Sequence, residues 1–334
     1  MSTTSEPTPV VDDPADLASR LETVLGAALD DPSVRVDALR RLPAGASRHT
    51  WSFDLVADGA DPQGLILRLD APGAFEADAM EREADLMRAA GTAGVPSPRI
   101  LLSDDTGDAL GTACVVMSRV DGETVPRRIL RDPELATARA GLAAECGRYL
   151  ARIHRIPLEA VTGLEERDEL DTWARTLAGL GQPHPAFELA ISWLRENRPA
   201  SVPARIVHGD FRNGNFIVGP EGIRAVLDWE LAHVGDPLED LGWLCVKAWR
   251  FGEAPVVGGF GSVDDLVAAY ESESGTSVDR AALHWWLVMG TLKWGIICIH
   301  QAERHRSGGN RSVELAAIGR RAAETEWDLL ELLP

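Results

Sequence analysis

Between Val207 and Glu230 the chain reads VHGDFRNGNFIVGPEGIRAVLDWE, a polar run followed directly by two short apolar runs, Phe216–Val218 and Ile223–Leu227. The residues between those runs, Gly219-Pro220-Glu221-Gly222, carry turn chemistry. The spacing therefore predicts a β-hairpin behind a loop that holds His208, Asp210 and Asn215. If Val218 pairs with Ile223, Asn215 falls opposite Val226, and Asp228 lies further along on the same side. Diagonal neighbours of this kind have Cβ atoms about 7–8 Å apart, near enough for two oxygen-bearing side chains to grip one hard cation. A bulge in the hairpin would break that placement.

These residue types at these offsets point to phosphoryl transfer. Such chemistry needs a carboxylate to accept the proton of the attacking hydroxyl, and oxygen ligands for the magnesium that bridges nucleotide phosphates. Asp210 is the candidate base, and Asn215 and Asp228 are the candidate metal ligands. The bland alternative, in which Asp210 and Asn215 only close a turn, requires three residue types to coincide by chance. His208 is grouped with Asp210 as a catalytic candidate, although a hydrogen-bonded hub is the more common role for such a histidine.

With 334 residues the chain suits two lobes better than one compact domain. Its formal charge of -19 argues against nucleic acid or an anionic membrane surface as partner. Cys114, Cys146, Cys245 and Cys298 lack metal-ligand or paired spacing, which fits a reducing cytoplasm. Residues 1–14, acidic and rich in Ser, Thr and Pro, read as a disordered tail and not a signal peptide. The apolar stretch Trp285–Ile299 is interrupted by Lys293 and glycines, so no membrane span is expected.

Hydrophobic periodicity predicts a helix over Asp16–Leu29, strands near 34–42, 50–56 and 64–69, a helix over 77–90, and strands near 99–103 and 113–119. The expected architecture is α+β: an antiparallel-sheet nucleotide-binding lobe over 15–119, then a larger, mostly helical catalytic and substrate-binding lobe over 120–334. A nucleotide site needs a turn over the phosphates, a cation and a carboxylate that orients it. Gly45 and Ser47 in the turn Ala44-Gly45-Ala46-Ser47 are the first candidates. The only lysines, Lys247 and Lys293, both follow the catalytic segment, so Arg68 in LILRLD is the candidate cation. Glu83 competes with Glu81 as its partner, and Ser118 and Val120 offer backbone groups for adenine.

Further on, GDPLEDLGWL reads as a helix start, with Asp236 as cap, Pro237 in the first turn and Glu239 at the capping-box position. Asp240 either belongs to that helix alone or braces the catalytic loop through a buried hydrogen bond. Near the C-terminus, His284, Trp285, Trp286, Lys293, Trp294, His300, Arg304 and His305 invite a pocket reading, in which Lys293 and Arg304 suit an anionic acceptor. All-round apolarity favours a buried core helix instead.

VHGDFRNGNFIV, VLDWELAHVGDPLEDLGWL and VVMSRVDG together resemble the aminoglycoside phosphotransferase family, which shares the protein-kinase-like fold with choline kinases. The likeness runs from about Leu39 onward, and its most specific part is the HGD and Asn215 pattern with LDWE and GDPLEDL downstream. It implies a two-lobed protein-kinase-like fold, Asp210 as base, Asn215 and Asp228 as Mg2+ ligands, ATP as donor (GTP in some relatives) and a small-molecule hydroxyl as acceptor. The LILR strand and KWGIICIHQAERHRSGG look closest to the branch of phosphotransferase domains fused to acyl-CoA dehydrogenases, which is associated with hydroxyacyl substrates in some members. Arg68 stands where the antibiotic kinases carry lysine. The expected function is thus an ATP- and Mg2+-dependent small-molecule phosphotransferase, whose acceptor is of hydroxyacyl or antibiotic-like type. The rival reading is a nucleotide-binding pseudokinase with a regulatory role, and only the missing lysine favours it.

Overall fold

The computed structural model describes residues 13–42, 48–70, 79–308 and 312–334. Gly45 and Ser47 lie outside these residues, as does the stretch 1–12 assigned to a tail. The chain divides into two compact units, one built from residues up to 92, 96–121 and 160–163, the other from 93–95, 122–159 and 164–334.

In the smaller unit, helix α1 (Pro14–Leu29) starts earlier than its apolar stripe suggests. Asp13 accepts the Ala15 amide at 2.9 Å, and Pro14 sits in the first turn, where its missing N–H leaves nothing unpaired. Asp13 and Pro14 therefore open a helix, which corrects their assignment to the tail. Strands β1 (Arg35–Arg41), β2 (Arg48–Val56) and β3 (Gln63–Asp70) precede helix α2 (Ala79–Thr92), and strands β4 (Ile100–Asp104) and β5 (Cys114–Ser118) follow it. The five strands form one antiparallel sheet in the order β1-β2-β3-β5-β4.

Strand alternation divides this sheet chemically. Trp51, Phe53 and Leu55 of β2 and Leu65, Leu67 and Leu69 of β3 form one buried core with Leu17, Leu21 and Leu25 of α1. The residues between them face the other way. There, Arg48 pairs across the strands with Asp70, and Thr50 with Arg68. The same alternation that builds the core thus lines up a row of charged groups on the opposite face.

The larger unit opens with helices α3 (Pro126–Arg131), α4 (Ala136–Ile153), α5 (Glu169–Leu180) and α6 (Pro185–Glu196). Short strands β6 (Arg205–Val207), β7 (Phe216–Gly219), β8 (Gly222–Val226) and β9 (His233–Gly235) follow. Helices α7 (Leu238–Cys245), α8 (Val263–Ser274), α9 (Arg280–Arg306), α10 (Val313–Gly319) and α11 (Ala322–Leu332) complete it. Helix α9 is apolar and long enough to cross a membrane, yet 78% of its most apolar window is buried within the protein. It is the central core helix of this unit, packed against α7, α10 and α11. Of the residues that invited a pocket reading, Lys293 is buried and His284 and His300 are exposed, with His284 bonding the Leu332 carbonyl, while Trp285 and Trp286 line a pocket of about 490 Å³ beside Glu169 and Asp236.

Candidate active site

The candidate catalytic loop is strung between β6 and the β7–β8 hairpin. Strand β6 pairs antiparallel with β9, Val207 opposite His233, which fixes the root of the loop. Gly209 follows with φ of +76°, and a Cβ there would lie 2.4 Å from the Leu231 carbonyl oxygen. Only glycine fits this backbone.

Asp240, on the first turn of α7, is completely buried and grips the loop from below. Its Oδ2 accepts the His208 amide at 2.8 Å and faces His154 Nε2 at 3.0 Å, while Oδ1 accepts the Gly209 amide at 2.9 Å. Burial pushes this carboxyl up, but the hydrogen bonds and charge around it, that of His154 first, bring it below the usual range. Asp240 is thus a loop brace. Glu239 is no capping-box residue: it is buried, and its carboxylate meets Lys293 and His233. Asp236 does cap α7, accepting the Leu238 amide at 2.8 Å.

His208 turns out to be a hub. The amide of Asp210 donates to its Nδ1 at 3.2 Å, which leaves the proton on Nε2 to donate to the Leu227 carbonyl at 3.1 Å. With both ring nitrogens engaged and no exposed surface, His208 is not available to move a substrate proton, and its grouping with the catalytic residues is corrected. Burial is the main influence on the ring and keeps it neutral, holding its pKa below the usual histidine value against the nearby carboxylates of Asp240, Asp210 and Asp228.

Three donors hold the Asp210 carboxylate. Trp243 Nε1 donates to Oδ1 at 2.7 Å, Asn215 Nδ2 to Oδ2 at 2.7 Å, and Arg212 Nε is shared between the two oxygens at 3.0 and 3.2 Å. A carboxylate offers about four acceptor positions, and with Arg212 on both oxygens these contacts occupy all of them. The Arg212 guanidinium also lies over the Trp249 ring, 4.5 Å from its centroid. Arg212 and Trp243 escaped sequence reasoning. Both were findable: Arg212 lies inside the motif, and Trp243 is one helical turn beyond Asp240 on the same face of α7.

The hairpin forms, but its register differs from the predicted one. Val218 does pair with Ile223, yet Phe216 pairs with Val226, because β8 holds an extra residue between these points. Beside this bulge the Glu145 carboxylate on α4 accepts the Ile223 amide at 2.8 Å. Asn215 consequently faces Leu227, whose amide it receives at 2.9 Å. Asp228 then leaves the strand in the left-handed region, φ 68° and ψ 62°, so the pleat does not aim its side chain. Asn215 and Asp228 therefore do not share a strand face, contrary to the predicted register. Their nearness to one loop rests on other grounds: Asn215 bonds Asp210, and the Asp228 charge acts on His208.

Both hydrogens of the Asn215 amide go to Asp210, one to its carbonyl at 2.9 Å and one to its carboxylate. Its oxygen is left as the ligating atom, which with the Asp228 carboxylate makes an all-oxygen pair suited to a hard cation. The residues present fit magnesium.

In the smaller unit, Glu83 is buried on α2 and forms ion pairs with both Arg68 and Arg48. Arg48 also bonds Asp70 at 3.2 Å. The competing Glu81 instead pairs with Arg88 at the surface. Arg48 was not foreseen, because the predicted strand began at Thr50. Strand β5 ends at Ser118, whose amide and hydroxyl are both tied to Arg99 at 2.8 and 2.9 Å, and Val120 follows, partly buried.

Residues 38–284 match the model of the phosphotransferase enzyme family. Mouse acyl-CoA dehydrogenase family member 10 is 32% identical over 261 residues, covering 73% of this chain and 23% of that protein. The chain spans about a quarter to about a third of the length of the acyl-CoA dehydrogenase family relatives it matches. Among solved structures, a Ralstonia eutropha JMP134 protein assigned as an aminoglycoside phosphotransferase superposes with a TM-score of 0.74 at 22% identity, over 94% of this chain and 98% of that one. A choline/ethanolamine kinase family protein from Mesorhizobium loti gives 0.63 at 21% identity, over 95% and 94%. The fold is therefore the kinase-like phosphotransferase fold, α+β as the sequence predicts.

Proposed function

The chain belongs to the phosphotransferase enzyme family, and from that premise we propose that it moves the γ-phosphate of ATP, as its magnesium complex, to a hydroxyl of a small molecule. The observation that carries this reading is the Asp210 carboxylate, oriented by Trp243, Asn215 and Arg212 within the HGD motif segment. In the proposed reaction the longer, shared Arg212 contact opens and the carboxylate takes the hydroxyl proton as the oxygen attacks. Asn215 and Asp228 would hold the metal, which supplies neutralisation of phosphate charge when bound. In the smaller unit, Arg68 contacts phosphate while Glu83 fixes its guanidinium, and the backbone of Ser118 and Val120 receives adenine. Gly45 and Ser47 are assigned to the phosphate turn.

Fold neighbours support nucleotide use. An aminoglycoside phosphotransferase of TM-score 0.60 was solved with AMP-PNP and hygromycin B, and another, of TM-score 0.64, with GDP. ATP is the proposed donor here, with GTP as the alternative to be tested. The proposed acceptor is a hydroxyacyl or antibiotic-like compound. Lys293 plays no part in binding it, since its ammonium is neutralised inside the protein. The regulatory pseudokinase reading is not favoured, because the arginine paired with Glu83 answers the absent lysine. All four cysteines are free and buried, which is consistent with the cytoplasmic setting we propose.

The test is an assay with Mg-ATP or Mg-GTP and a panel of amino sugars, choline, macrolides and hydroxyacyl-CoA thioesters, read by mass spectrometry. A phosphorylated member of the panel is the expected result. No phosphorylated product, together with no calorimetric binding of Mg-ATP, contradicts the reading.

A further inference from the structure

Beneath the catalytic loop lies a buried charge cluster that the proposed chemistry does not use. Lys293 of α9, Glu239 of α7, Glu169 at the start of α5 and His233 at the start of β9 are all at least nine-tenths buried. The three hydrogens of the Lys293 ammonium have three acceptors: Glu169 Oε2 at 3.0 Å, Glu239 Oε1 at 3.1 Å and the carbonyl of Gly209 at 3.2 Å. Two of these are counter-charges, and the third belongs to the catalytic loop. Glu169, His233 and Glu239 place ligating atoms within 4.8 Å of one another, as a metal site would. The ammonium already bonds both carboxylates, so the cluster has its cation.

His233 completes the balance. Its Nε2 faces Glu239 at 3.1 Å and its Nδ1 faces the Leu231 carbonyl at 2.9 Å, so both ring nitrogens meet oxygen acceptors and the ring is an imidazolium. Two cations then match two carboxylates. Each cation also holds one backbone carbonyl at the loop: Lys293 holds that of Gly209, and His233 holds that of Leu231, the oxygen against which Gly209 packs.

We propose that Lys293 is a positioning residue for Asp210, acting through the Gly209–Asp210 peptide group. That peptide plane is fixed at both ends, its oxygen by Lys293 Nζ at 3.2 Å and its N–H by His208 Nδ1 at 3.2 Å. Asp210 is attached directly to this plane, so a rotation of the plane swings the carboxylate out of reach of its three donors. Trp243 lies on both paths, since its indole donates to Asp210 and its ring packs 5.0 Å from the Lys293 ammonium. The kinetic part of this inference rests on Asp210 being the base; the geometric part does not.

Lys293→Met alone leaves two buried carboxylates facing a single cation, so the test adds Glu169→Gln, which leaves Glu239 paired with His233 and the cluster neutral while removing the donor to Gly209. In this double variant, amide exchange of the segment 207–215 should accelerate about tenfold or more while that of α9 holds. With an accepted substrate, kcat should fall about 10- to 100-fold at unchanged KM for ATP. Lys293→Arg, which retains a donor, should recover part of the kcat loss. Exchange unchanged in 207–215, or raised equally across α5, α7 and α9, overturns the inference, as does an unchanged kcat. If no phosphotransfer is found in the wild type, the functional reading fails and the exchange result alone decides the role of Lys293.

Discussion

The two polar centres of this molecule are built on opposite principles. Around Asp210 the residues in contact come from one short segment and from α7, and two neutral donors together with the Arg212 guanidinium fill the acceptor positions of the carboxylate. Around Glu83 one carboxylate is shared by two arginines on neighbouring strands, so charge balances charge on a sheet face. A saturated hydrogen-bond network fixes direction, because each bond has a preferred angle. An ion-pair cluster fixes charge more than direction, which suits a group that must meet a flexible polyphosphate. The first centre should therefore answer to small geometric changes, and the second to changes of charge.

Asp240→Ala should have the largest effect on stability. It leaves the amides of His208 and Gly209 and the ring of His154 without their shared acceptor in a dry interior, and breaking such a buried charged contact costs about 3–5 kcal/mol. Urea denaturation measures it. A loss below about 1 kcal/mol would mean that the loop keeps its shape without the brace, and the contrast between the centres would lose its basis.

Arg68→Ala should act on binding. The loss of one charge-assisted phosphate contact raises the KM for ATP by about tenfold or more, with kcat little altered, whereas Arg48→Ala, which removes the bonds to Asp70 and Glu83, should mainly lower thermal stability. Equal effects of the two substitutions on KM would show that the cluster works as one diffuse charge. An unchanged KM in Arg68→Ala would return this residue to a structural role.

The smallest effect is on pH dependence, and it separates two histidines of the larger unit. Burial lowers the pKa of His208 from its ordinary 6.5, so below that value the unfolded chain takes up a proton that the folded ring refuses, and stability falls as the solution becomes more acidic. His233 is shifted the other way: burial lowers it, but Glu239 and Glu169 together raise it above 6.5. Its contribution is complete below 6.5 and is lost as pH rises through the folded value. These two groups together place a stability maximum close to 6.5. Replacing His208 by Gln should flatten the acid limb of a melting-temperature profile, and replacing His233 by Gln the alkaline limb. A profile in which both limbs survive both substitutions contradicts the assignment.

The same contrast decides what could be read from the sequence. Asp210, Asn215 and Asp228 were legible because a contiguous loop and hairpin carry them, and the row of alternating leucines in LILRLD announced both the core face and the position of Arg68. The hairpin bulge left no mark in the local pattern, and Glu145, which bonds the strand beside it, comes from a helix 78 residues away in sequence. Lys293 was read as an interruption of an apolar helix or as a charge for an anionic acceptor, and not as part of a buried cluster. Its partners Glu239 and Gly209 lie 54 and 84 residues distant, and only the packing of α7 and α9 brings them together. Arg48 was missed for a plainer reason, since the predicted strand stopped short of it.

The central claim is that the Asp210 carboxylate is the base of a phosphoryl transfer, and turnover by Asp210→Asn on whichever panel compound the wild type phosphorylates tests it most directly. The amide keeps the shape but loses the charge and the basic lone pair. We expect kcat to fall about 100-fold or more while calorimetric affinity for Mg-ATP stays within about twofold. A variant that turns over at the wild-type rate would contradict the claim.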